Sequence, residues 1–446
     1  MLIRNLQAAH TDVTGGRLCI RTDGARISEI AVDLLPLPGD EVVDGSHLIA
    51  VPGFVNSHHH FFQALTRCVP AAQQLRLFDW LRFHYPLWGN FDAEMFRAAY
   101  RLAMAELLLS GCTTSCDHHY LFPGAVAADL TRLEVECARE LGLRFTLLRG
   151  SMTLGHARGG LTPDSLIEND ADVLRDCERT VGAFHDARPF SMTQVHLAPC
   201  TPFNVTPELM RDTAVLAREL GVRLHTHLAE TADETDYCVA RYGKRPLALM
   251  EEWNWVGPDV WYAHGIHFND NEIAQLAATH TGVAHCASSN CRLASGRMRL
   301  RKLLQAGVPI GLAVDGCASN DSSNMLAELR MAMLVHRTPD DLEFFTARRV
   351  IDLATSGSAA LLGRSDIGQL RVGMAADIVL FDGADLAYAG AADPVAALLF
   401  CAPTRPHTVI VNGKVVVHNR ELLTADEREI ASSAREQARR LLSKAN

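Results

Sequence analysis

One alternation limits what this chain can fold into. Short apolar runs at 54–58, 113–117, 144–149, 192–197, 222–228, 260–265, 283–287 and 310–315 are separated by longer stretches, among them 93–109, 207–220 and 323–336, that carry helical spacing. Parallel strands are covered on both faces and so read as continuous apolar runs, and each crossover between them is long enough for a helix. Eight such units are what a (β/α)8 TIM barrel requires; a doubly wound open sheet is the other architecture with this alternation. The polar residues favour the barrel. They recur at the ends of the runs, and a barrel gathers the C-terminal ends of all its strands around one mouth.

The two chain ends read differently. Leu18 to Ile20 and Ile27 to Val32 flank the turn residues Asp23-Gly24, and near the other end 376–381 is followed by a hairpin, 408–411 and 414–417, around Asn412-Gly413. Asn-Gly supplies the positive φ values that a two-residue hairpin turn needs. Neither end has enough strands to bury a face by itself, so the two are expected to pair. The predicted architecture is α/β: a metal-dependent TIM-barrel catalytic domain over 51–370, a smaller β-sandwich domain from 1–50 and 371–424, and a solvent-facing C-terminal helix over 425–446.

Bulk composition narrows the function. A formal net charge of −10 argues against nucleic acid, which needs Lys and Arg concentrated on one face, and no apolar stretch has the length of a membrane span. The N-terminus MLIRNLQAAHTD lacks a signal-peptide pattern, so a cytoplasmic protein with a small-molecule partner is expected. The 12 cysteines form no CxxC pair, the nearest being Cys112 and Cys116, and read as reduced core thiols.

The 20 histidines carry more information, because they cluster. In Val51-Pro-Gly-Phe-Val-Asn-Ser-His58-His59-His60, residues two apart on a strand point the same way, so His58 and His60 face the mouth together while His59 faces outward. His225-Thr-His227-Leu-Ala-Glu230 repeats the spacing, and spacing alone does not say which of its two imidazoles binds a metal. Glu230, just past the strand end, is placed to take a proton from an activated water and pass it to a substrate nitrogen; a carboxylate beside a helix N-terminus is the plainer reading of that residue alone. His264 and Asp315 end the sixth and eighth runs. Either by itself reads as a buried histidine or a turn residue. Together with the others they complete a set of three neutral imidazoles and a carboxylate, which suits one divalent transition ion with a position open for water.

PGFVNSHHH, HTHLAE, AHG, AVDG and IGQLRVGMAADIVLFD together resemble the amidohydrolase superfamily over nearly the whole chain. The resemblance implies that His58, His60, His227 and Asp315 are metal ligands, that Glu230 shuttles protons, that His264 orients the attacking water, and that His225 is supporting structure. Two-metal members add a modified lysine or a glutamate on the third or fourth strand. The four lysines here, Lys244, Lys302, Lys414 and Lys444, lie on no candidate barrel strand, and strand four reads MTQVHL, so one ion is expected, zinc before iron.

Within the single-metal branch, which includes cytosine deaminases and triazine hydrolases, HHHFFQALTRCVPAAQQLRLFDWL and CTTSCDHHYLFPG look most like the 8-oxoguanine deaminases. That implies hydrolytic deamination of a purine to urate and ammonia, and a homo-oligomer, as is common in the branch. Alternatives are a deaminase or chlorohydrolase acting on guanine, a pterin, cytosine or a triazine, and, outside enzymes, a metal-containing purine-binding protein, against which an intact Glu230 counts. Gln73, whose amide both donates and accepts, Trp80 as an aromatic wall, and His196 are the candidate substrate contacts, and 70–80 the candidate closing loop. His118 and His119 fall at the mouth with no assigned role.

Overall fold

The computed structural model describes residues 1–124 and 129–444. Eight parallel strands, Phe54–Asn56, Cys112–His119, Arg144–Ser151, Thr193–Pro199, Leu224–Leu228, Val260–His264, Gly282–His285 and Ile310–Leu312, lie side by side in chain order. Residues around the first and last strands close the ring: Ser57 Oγ donates to the Leu312 carbonyl at 2.9 Å, Val314 N to Asn56 Oδ1 at 3.0 Å, and Asp315 N to the His58 carbonyl at 3.2 Å. This is the barrel expected from the alternation. Its interior holds Val55, Cys116, Leu148, Ala198, Ala284 and Ala313 around the indole of Trp261. The alanines leave room for the indole, and its Nε1 donates to the Ser57 carbonyl at 3.1 Å. At the junction between the domains Gly53 allows a close approach, since a Cβ there would lie 2.0 Å from Thr113 Oγ1.

The two chain ends build a second, smaller domain. One sheet contains Leu2–Arg4, Leu18–Asp23, Arg26–Val32 and Val42–Asp44; the other contains Ala8–Ala9, Leu48–Pro52, Ile378–Asp382, Thr408–Val411, Lys414–His418 and Glu421–Leu422. Leu48–Pro52 and Ile378–Asp382 pair antiparallel, with Val51 opposite Val379, which joins the ends as anticipated. Ile3, Ile20 and Ile27 from the first sheet share a core with Leu48, Ile378 and Ile410 from the second. The hairpin turn has φ of 51° at Asn412 and 81° at Gly413. Arg144, on the third barrel strand, bonds Asp377 at 3.1 Å and Asn412 at 2.9 Å, tying barrel to sheet through a buried, fully hydrogen-bonded ion pair.

Two expectations change. The C-terminal helix, Glu427–Ser443, is solvent-facing on one side only: Ile430, Ala434 and Leu441 are buried, and Arg440 bonds Asp92 and Glu94 at the start of Ala93–Leu108. Its last two residues, 445 and 446, lie outside the described ones. The stretch read as a loop at 70–80 contains a short 3-10 turn, Pro70–Ala72, and the start of a helix, Leu77–Trp88, whose internal Pro86 disguises it. Among the described residues, no helix is long and apolar enough to cross a membrane.

Candidate metal centre and active site

The barrel mouth brings His58, His60, His227, Glu230, His264 and Asp315 together, all buried. Three of these residues, or their neighbours, adopt left-handed backbone: φ is 54° at Ala229, 75° at His264 and 64° at Asp315. Non-glycine residues hold such angles at a cost, and they concentrate where side chains must be aimed.

Hydrogen bonds fix which nitrogen of each imidazole is bare. His60 Nδ1 is 2.8 Å from the His118 carbonyl and His227 Nδ1 is 2.8 Å from the Cys200 carbonyl, so both Nδ1 atoms donate and both Nε2 atoms carry lone pairs. His225 Nδ1 donates to the Trp261 carbonyl at 2.9 Å, which leaves its Nε2 to accept from His58 Nδ1 at 2.8 Å. His58 Nε2 is therefore bare as well, and it is buried without a hydrogen-bond partner. The bare His60 and His227 Nε2 atoms stand 3.0 Å apart, and Asp315 Oδ1 lies 3.3 Å from both His58 Nε2 and His60 Nε2. Lone pairs converge on lone pairs and a carboxylate oxygen. That arrangement repels itself unless a cation sits at the point of convergence, so the donor set fits a divalent ion. Burial, reinforced by the neighbouring imidazoles, holds His58, His225 and His227 well below the usual histidine range, which keeps them neutral as ligation requires.

Beside this cluster Glu230 and His264 meet. Glu230 Oε2 is 3.5 Å from His264 Nε2, and Asn290 Nδ2 is 3.0 Å from His264 Nδ1, fixing the ring. Glu234 clamps the turn below: its carboxylate accepts from Ala229 N at 3.0 Å and Glu230 N at 2.8 Å. Burial, with Asp315 and Glu234 nearby, pushes the Glu230 carboxyl well above the usual range, so it retains a proton more readily than an exposed glutamate.

A cavity of about 390 Å³, its open mouth included, adjoins this pair and is lined by Gln63, Trp80, Tyr85, Tyr120, Asn204 and Ser319 as well as by Glu230 and His264. Trp80 stands where the sequence suggested, with its buried Nε1 lacking a partner. Gln73 does not: it is exposed, and its amide bonds the Cys68 carbonyl at 3.2 Å. His196 does not either: Nδ1 accepts from Arg223 N at 3.2 Å, Nε2 lies 3.4 Å from the Leu362 carbonyl, and the ring packs against Trp261 in the barrel interior. Their outward and inward positions on the chain remove both from the cavity.

Gln63 occupies the place given to Gln73. Its Oε1 accepts from Ala318 N at 3.4 Å and its Nε2 donates to Tyr120 OH at 3.3 Å. A signal for it existed, because Gln63 follows His60 by three residues in the 3-10 turn Phe61–Thr66, where such residues lie nearly above one another. His118 also acquires a place: its carbonyl fixes His60, its Nε2 donates to the Ala198 carbonyl at 2.6 Å, and its Nδ1 is left without a partner.

Comparison with known proteins agrees with this geometry. The amidohydrolase family profile matches residues 49–416. The 8-oxoguanine deaminase of Pseudomonas aeruginosa is 45% identical over 416 residues, 92% of each chain. An isoxanthopterin deaminase from an unknown prokaryotic organism is 37% identical over 99% of this chain and 97% of its own. Among solved structures, the zinc complex of an atrazine chlorohydrolase from Arthrobacter aurescens superposes with a TM-score of 0.93 at 33% identity, covering 98% of this chain and 99% of that one. The chain belongs to the amidohydrolase family. It is an amidohydrolase-type deaminase with a His and Asp cluster that could hold a metal.

Proposed function

We propose that the protein hydrolyses 8-oxoguanine to urate and ammonia, with His58, His60, His227 and Asp315 holding one zinc ion. The observation that carries the chemistry is the Glu230–His264 pair at 3.5 Å, which lines one cavity together with His60, His227 and Asp315. The similarity to the 8-oxoguanine deaminase carries the choice of substrate.

The ion, when bound, lowers the pKa of a water toward neutrality. Glu230 takes a proton from that water as its oxygen attacks the ring carbon bearing the exocyclic amine. It then delivers the proton to the adjacent ring nitrogen, which converts an sp2 centre into a tetrahedral one without leaving charge on the ring. The remaining water proton, held between Asp315 and His264, goes to the amine, and the C–N bond breaks to release ammonia and leave a carbonyl. Burial suits Glu230 to this task, because a carboxyl with a raised pKa is a better proton carrier near neutral pH than an exposed one. Gln63 meets the purine edge with one donor and one acceptor, and Trp80 supplies an indole wall and an N–H.

Isoxanthopterin is the second reading, favoured by a relative of that activity matching 99% of the chain, since a pterin presents a similar amidine edge. The deciding experiment follows ammonia release from 8-oxoguanine, guanine, isoxanthopterin, cytosine and a chlorotriazine, on zinc-loaded and chelated protein. Metal-dependent turnover of 8-oxoguanine well above the rest is expected. Preference for any other compound discards the substrate, and no turnover of any of them discards the reaction.

A further inference from the structure

The strand Cys112–His119 is polar on both of its faces. His118 turns into the barrel, while Asp117 and His119 turn outward toward the helices, where Glu134 of Leu130–Leu141 meets them. All three are fully buried, and one potential ligand atom of each falls within 4.8 Å of the others.

With both acids ionised, most of their polar atoms find no donor; a proton on Glu134 would bond it to Asp117. Asp117 Oδ1 accepts from Phe61 N, and His119 Nδ1 lies 3.4 Å from Tyr100 OH. Asp117 Oδ2, both Glu134 oxygens and His119 Nε2 are without partners. Among the described residues no Arg or Lys pairs with either carboxylate; Asp117 has only His59 at 4.0 Å, and Arg149, whose charge acts on His119, is engaged by Glu168 and Asp176. Phe62, Phe96 and Phe122 close the remaining side around the His119 ring.

We propose that Asp117, His119 and Glu134 form a second, structural divalent-cation site, separate from the hydrolytic centre, that fastens the helix Leu130–Leu141 to the barrel. Two adjacent buried carboxylates need positive charge between them. A shared proton would serve one pair of oxygens and leave His119 Nε2 and the other Glu134 oxygen idle. A zinc-class ion takes one nitrogen and the carboxylate oxygens together and neutralises both charges. Because Asp117 also holds the backbone of Phe61, the residue after His60, this ion would stiffen the strand end that carries two ligands of the first.

The test is metal stoichiometry, read by mass spectrometry on protein refolded with excess zinc and then desalted, since so enclosed an ion enters with folding. The wild type is expected to retain about two zinc ions per chain, Glu134→Gln about one, and the double variant His58→Ala/His60→Ala about one. One ion in the wild type overturns the proposal and leaves a shared proton as the occupant. Retention of both ions in Glu134→Gln also overturns it, because the second ion then lies elsewhere. Should Glu134→Gln fail to fold, the His58→Ala/His60→Ala count decides, and a value near zero refutes the site.

Discussion

His225 touches neither the cavity nor the acid–base pair, yet the tautomer chain makes it a determinant of metal affinity. Its Nε2 accepts the only hydrogen bond open to His58 Nδ1, at 2.8 Å, and its own Nδ1 is anchored on the Trp261 carbonyl at 2.9 Å. His225→Phe keeps a ring in the same space, where the imidazole stacks on Trp261 at 4.5 Å and 27°. It leaves the His58 N–H buried with no acceptor whenever Nε2 faces the metal. Such an unpaired group costs about 1–3 kcal/mol, which corresponds to roughly 5- to 150-fold in Kd. His58 can escape the cost only by turning its proton toward the site, which removes the ligand. The assay is zinc competition against a chromophoric chelator, with turnover measured at saturating zinc. Affinity is expected to fall within that range, while kcat with the metal saturating changes far less. Unchanged zinc affinity in a folded His225→Phe protein would refute the tautomer argument.

Glu230→Gln is expected to retain zinc and lose turnover by about 10²–10⁴-fold, the usual worth of a general acid–base group; wild-type turnover would remove Glu230 from the mechanism. Gly316→Ala would place a Cβ 2.0 Å from Gln63 Oε1, so it should displace that amide and raise KM for 8-oxoguanine about tenfold or more with the fold intact; equal kinetics would mean that Gln63 does not contact substrate. Glu328 is fully buried, accepts from Ser288 N at 3.0 Å and Asn320 Nδ2 at 3.2 Å, and is pushed by burial up to about 7. A carboxyl raised in the folded state contributes stability that is complete below its unfolded value, about 4.5, and is lost as pH rises through about 7. Over that window the wild type should lose on the order of 3 kcal/mol that Glu328→Gln does not lose, measured by urea unfolding at pH 5 and pH 8; parallel pH profiles would refute it.

The fold was legible because a parallel barrel imposes a pattern on sequence: runs buried on both faces, polar residues at one end, and connections long enough for helices. The meeting of His58, His60, His227 and Asp315 was legible for the same reason, although the first strand stops at Asn56 and His58 and His60 extend beyond it. Spacing could not separate His225 from His227, since both face the interior; the difference lies in depth, His227 meeting the other ligands and His225 standing one pleat below, behind His58. The substrate contacts were the least legible. Gln63 and Gln73 have the same side chain in the same stretch, and only the turn made by Phe61–Thr66 decides which one returns to the metal side. His196 shares the inward phase of its strand but sits beside Trp261, below the mouth, so phase gives the face and not the height.

Height along the strands is what links fold to chemistry here. The distal nitrogens of His60 and His227 donate to carbonyls of residues 118 and 200, at the ends of neighbouring strands, and His58 reaches the carbonyl of residue 261 through His225. Those three acceptors are set by the stagger of strands two, four and six, not by any side chain of the site. A shift in register by one residue would exchange each carbonyl for one pointing to the other face, return the proton to Nε2, and abolish the ligand while leaving the histidine in place. If these imidazoles hold an ion as proposed, its affinity is therefore a readout of strand register. The packing around Trp261, remote from the reacting atoms, belongs to the same argument, because the carbonyl of that residue anchors His225 at the height that His58 requires.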